Sequence, residues 1–130
     1  MTSRRIASLA TLTLALFATA AHADGVAVVH GQFTDRVDHG RPVGDATALA
    51  TAPSAVYWVE VNNPGAPTQV TLVWRVDGRE VARQSLDVGH APRWRTWGTR
   101  PLHGAHQVEV AVLDPAGAQI HTDHATLAGH

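Results

Sequence analysis

Between Thr68 and Val88, apolar side chains fall at every second position on both sides of an Asp-Gly pair. Val70, Leu72, Trp74 and Val76 share one face of the first arm, and Val81, Leu86 and Val88 lie on the return. Period two is the spacing of a strand with one buried face. Asp77-Gly78 suits the two-residue type I′ turn that joins such arms, because both central residues need positive φ. A chain with this hairpin at its centre must bury one face of a sheet against something else. The flanking sequence supplies further strands and no convincing helix.

The same pattern recurs at short intervals. Val26 to Thr34 alternates with Val26, Val28, His30 and Gln32 on one side and Ala27, Val29, Gly31 and Phe33 on the other. Arg36 to Pro53 reads as a loop, within which Ala46 to Ala52 fits no element. Ser54 to Val61 is a strand centred on Val56-Tyr57-Trp58-Val59, closed by the turn Asn62-Asn63-Pro64-Gly65. Gly89 to Pro92 breaks the chain before a short strand, Arg93 to Trp97, and Gly98 to Gly104 reads as another loop. Ala105 to Leu113 carries Val108, Val110 and Val112 on one face. Asp114-Pro115-Ala116-Gly117 is a turn with proline at its second position, and Ala118 to Leu127 closes the domain. About seven strands at this spacing predict an all-β fold, a small antiparallel β-sandwich of immunoglobulin-like architecture.

The N-terminus does not join that pattern. Arg4 and Arg5 precede an apolar run from Ile6 to Ala21, and Ala21-His22-Ala23 places small residues where a signal peptidase reads. These three features predict a signal peptide over residues 1–23, cleaved after Ala23, and a periplasmic or secreted single domain over residues 24–130. Loss of Arg4 and Arg5 moves the formal charge from −1 to −3. A mildly acidic domain offers nucleic acid or an anionic bilayer no attraction, and no membrane insertion is expected after cleavage. There is no Cys. That excludes disulfides, thiol catalysis, Cys-ligated zinc and a lipid-modified N-terminal Cys, and leaves stability to the core.

Several segments, in order along most of the mature chain, resemble the DUF2914 family. They are Phe33-Thr34 with Arg41-Pro42-Val43; Val56 to Val61; Thr71 to Trp74 with Asp77-Gly78 and Glu80-Val81-Ala82; Leu86 to Gly89; Pro92 to Trp97; and Val108-Glu109-Val110 with Gly117. The hairpin and the Pro-Arg-Trp-Arg-Thr-Trp stretch are the most specific. Val73 and His106 depart from the pattern, where the family usually has His and Trp. The resemblance implies a β-sandwich-type domain, often attached to envelope proteins, with no established activity and no catalytic residues to carry over.

Chemistry-bearing residues are few. Nine histidines are many for this length, and imidazole is a common ligand for copper or zinc. Yet His103 and His106, like His121 and His124, are three apart, which on a strand turns the rings to opposite faces. A loop-built site from His90, His103 and His106 is the remaining metal arrangement. Ser54 and Ser85 lie in strands, not at a nucleophile elbow. Asp35 and Asp38 sit in a loop, and Glu60 and Glu109 are single acids on strands. No glycine-rich loop precedes a helix, so no phosphate cradle of that kind is available.

Pro92 to Trp97 is the richest stretch. Alternation sets Trp94 on one side and Arg93, Arg95 and Trp97 on the other. On the plain reading Trp94 anchors the core, and the arginine stems cover apolar surface. On the functional reading Arg93, Arg95 and Trp97 form a ligand-binding surface that stacks on a sugar or grips a carboxylate or phosphate. Asp87, Glu60 or Glu109 on a neighbouring strand could instead satisfy the arginines internally. The expectation is a non-catalytic binding module, with no cofactor, directed to an envelope protein or glycan. Histidine-mediated metal binding or trafficking is the alternative.

Overall fold

The computed structural model describes residues 25–127. The expected signal peptide lies outside them, apart from which the all-β expectation holds. Among the described residues nine strands form: β1 (Ala27–Thr34), β2 (Val37–Asp38), β3 (Arg41–Pro42), β4 (Ser54–Asn63), β5 (Thr68–Val76), β6 (Arg79–Val88), β7 (Ala91–Pro101), β8 (Gln107–Leu113) and β9 (Gln119–Thr126). A three-stranded sheet, β1-β4-β7, packs on a four-stranded sheet, β6-β5-β8-β9, and all pairings are antiparallel. Between these two sheets the described chain crosses three times, β4 to β5, β6 to β7, and β7 to β8, while β2 and β3 pair only with each other. No helix among the described residues is long and apolar enough to cross a membrane.

The core is the set of side chains that period two turns inward. Tyr57, Val59 and Val61 from one sheet meet Val70, Leu72, Trp74, Val108, Val110 and Val112 from the other, all fully buried. Phe33 packs edge-on to both Tyr57, at 4.8 Å between ring centroids, and Trp74, at 6.5 Å. Trp74 keeps its indole N–H satisfied by donating to Gln84 Oε1 at 2.6 Å. The central hairpin has its expected bounds, and Asp77 and Gly78 take φ of 49° and 84°. Asp77 also ties this turn to the start of β8, because its Oδ1 accepts the N–H groups of His106 and Gln107 at 2.9 and 3.0 Å.

Three features differ from the sequence reading. First, β1 contains a bulge: Val28 pairs with Val61 and His30 with Glu60, leaving Val29 extra and 47% exposed. The extra residue resets the alternation. Val26 and Val28 therefore face inward with Gly31 and Phe33, and His30 and Gln32 face outward, not together with the valines. Second, β7 continues through Gly98 to Pro101 where a loop was expected. Gly98 lies opposite Tyr57, and its missing side chain admits Gln84 and Leu72 from the other sheet. It is a glycine of close approach, not of a turn. Third, Ala46–Ala50 forms a 3₁₀ turn capped by Asp45, which accepts from Thr47 N at 3.0 Å. This turn delivers Leu49, fully buried, to the core.

Candidate functional site

The outer face of β1-β4-β7 is not the solvated surface that an alternating strand normally shows. On β4 the outward residues Val56, Trp58 and Glu60 are all buried. What covers them is the segment between β1 and β4. Thr34 Oγ1 accepts from Gly44 N at 2.9 Å and donates to Arg36 O at 3.1 Å. Gln32 Nε2 donates to Gly44 O at 3.1 Å, and Trp58 Nε1 donates to Gly40 O at 2.9 Å. Three outward side chains thus fold the small β2–β3 ladder over the sheet. His39 and Gly40, both at positive φ, make its turn.

This fold-over creates a cleft of about 310 Å³ whose lining includes Arg41, Glu60, Arg93 and Arg95, with the His30 imidazole beside them. Ladder pairing sets His30 and Arg95 on either side of Glu60, and Gln32 and Trp97 on either side of Trp58. Arg95 Nε donates to Glu60 Oε2 at 3.4 Å, with the carboxylate nearly buried. Among the described residues neither Arg41 nor Arg93 has an acidic partner. His30 stacks edge-on against Trp58, centroids 5.8 Å apart. Trp97 stands beside this cleft, 41% exposed.

Arg93, Arg95 and Trp97 therefore share one face of β7, as their spacing requires, and the internal acid that answers Arg95 is Glu60. Asp87 instead accepts from Gln69 Nε2, and Glu109 lies across from Arg75 on β5. Arg41 and His30 complete the cleft and escaped the sequence reading. Arg41 lies in a segment without a strand signal, and strict alternation groups His30 with the valines, whereas the bulge turns it outward to the cleft face. Trp94 corrects the plain reading. It does point to the inner side, across from Val61, but it stands at the end of the sandwich, 38% exposed and outside the core cluster.

His90 does not converge with His103 and His106. His90 precedes β7 and lies 2.9 Å from Gly65 O through Nδ1, whereas His103 and His106 follow β7 at its other end. Eleven strand residues at ~3.3 Å each separate them. His106 Nδ1 sits 3.9 Å from Asp77 Oδ2. No group of three His, Asp or Glu side chains among the described residues could hold a metal ion. Ser54 and Ser85 make no hydrogen bond to a histidine among the described residues.

Residues 67–122, from the turn before β5 into β9, match the family described as "Protein of unknown function (DUF2914)". No curated protein matches the chain.

Proposed function

We propose, for a chain whose β5–β9 region resembles an uncharacterised family, that it is a non-catalytic binding module of the cell envelope. It holds an anionic group, a carboxylate or phosphate of an envelope protein or glycan, on the outer face of β1-β4-β7. The observation that carries this reading is the imbalance of the cleft: three guanidiniums and one carboxylate line it, and that carboxylate is already engaged by Arg95. Like charges gathered on a semi-enclosed face repel unless a counter-charge comes from outside. Guanidiniums suit this task because their planar donor forks match the two oxygens of a carboxylate or phosphate. Trp58 and Trp97 add an aromatic wall next to it. Among the described residues, this cleft is lined by no carboxylate other than the engaged Glu60 and by no hydroxyl nucleophile, which favours binding over turnover.

The three arginines separate into two roles. Arg95 belongs to the scaffold as well as to the face, because removing it strands the nearly buried Glu60. Arg95→Ala should lower stability by roughly 1–3 kcal/mol, the usual cost of leaving a buried polar group without its partner. Arg41 and Arg93 carry no such duty. The double variant Arg41→Ala, Arg93→Ala should melt like the wild type and lose both the indole shifts of Trp58 and Trp97 on titration with inorganic phosphate and partner capture from envelope extract. Retention of both by a folded double variant overturns the proposal.

A further inference from the structure

We propose that the cleft beneath Trp94, where β6 turns into β7, is a separate binding site for an uncharged saccharide ring. Trp94 is paired with a fully buried valine on the core side of its strand, yet more than a third of it is exposed. Gly89 explains the pose, since any Cβ there would collide with the six-membered ring of Trp94. The ring folds against the backbone of the β6–β7 turn instead of into the core. With Pro67 and Val88 it walls a cleft of about 490 Å³, a volume typical of small-molecule sites.

The same cleft is lined by Gln69 and Asp87, which face each other across the β5–β6 ladder. Gln69 Nε2 donates to Asp87 Oδ1 at 3.0 Å. That bond orients both groups and leaves one amide N–H, the amide oxygen and the second carboxylate oxygen without partners among the described residues. One donor and two acceptors are thus fixed on a rigid strand pair beside an aromatic ring. A pyranose has the matching form: C–H groups on one face for the indole, and neighbouring hydroxyls on its edge that both donate and accept. Asp87 disfavours an acidic ligand, and no arginine lines this cleft. A purely apolar occupant would cover the amide–carboxylate pair without satisfying it, at a desolvation cost. The site thus differs in chemistry from the cationic face and shares only strand β7 with it.

The test is NMR titration of the exported protein with three neutral probes: cellohexaose, maltohexaose and the N-acetylglucosamine hexamer. At least one should produce saturable shifts of the Trp94 indole N–H and the Gln69 side-chain amide. Trp94→Ala and Asp87→Ala should each weaken that binding about tenfold or more, and Trp94→Phe should weaken it less. Val81→Ala, an exposed apolar residue at the far end of β6, should bind as the wild type. Should Trp94→Ala fail to fold, Trp94→Phe and Asp87→Ala decide the matter. The proposal is overturned if no probe shifts either group up to about 10 mM, or if folded variants bind unchanged. It is equally overturned if decaproline, a peptide probe, shifts Trp94 where all three glycans leave it still.

Discussion

Tyr57 is the only tyrosine in the chain, which also lacks lysine. Its side chain is fully buried and its hydroxyl donates to Asp123 Oδ2 at 3.4 Å. Burial first, then the nearby Asp123 charge and the hydrogen bond to it, holds that hydroxyl protonated far above the usual tyrosine range. In the unfolded chain it ionises near ~10. The fold therefore has the full contribution of neutral Tyr57 below that pH and loses it as pH rises beyond, by ~1.4 kcal/mol per unit. Urea midpoints between about pH 8 and 11.5 should fall for wild type and stay nearly flat for Tyr57→Phe; parallel curves would show that Tyr57 does not govern the alkaline limb. Trp74 is the matching case for packing. Trp74→Ala should cost roughly 3–5 kcal/mol, and a denaturant midpoint near that of wild type would contradict its place in the core. Trp74 was legible from period two alone. Tyr57's partner was not, because Asp123 lies sixty-six residues away and only the approach of β9 to β1 brings them together.

Among the elements, those whose signals are local came through intact. The β5–β6 hairpin and the β8–β9 turn depend on Asp77-Gly78 and Asp114-Pro115-Ala116-Gly117, whose backbone demands are written in four or fewer residues. In the second turn, Asp114 Oδ1 accepts from Ala116 N and Ala118 N at 3.0 and 2.8 Å. Elements set by distant neighbours were misread. Gly98 looks like a breaker until Gln84 and Leu72 are placed against it, and the Val29 bulge has no residue that announces it. The cationic cleft shows the same division. Its β7 half followed from alternation in Arg93-Trp94-Arg95-Thr96-Trp97. Its other half depends on Thr34, Gln32 and Trp58 pulling the β2–β3 ladder over the sheet, hydrogen bonds spanning up to eighteen residues. A segment of Gly, Asp and Pro carries no pattern that would foretell its destination.

For the molecule as a whole, the proposal of an envelope ligand requires that the chain be exported, which its N-terminal sequence predicts. Mass spectrometry of the exported protein should find Asp24 at its N-terminus; a species retaining Met1 in the membrane fraction would contradict this. The two proposed surfaces meet that environment differently, one through charge and one through an aromatic ring, and both depend on β7. That strand is an edge strand, hydrogen-bonded to β4 alone in its sheet. Edge strands open at a lower free energy than central ones. A ligand seated on either face of β7 withdraws the opened state and so leaves less conformational entropy for the second ligand to overcome. On the two proposals together, the sites would be thermodynamically linked without touching. If both proposed sites are occupied, an anion on Arg93 should tighten a ligand on Trp94, and by reciprocity the reverse should hold with the same factor. A single strand with one neighbour would thus make two weak recognitions behave as a coincidence detector.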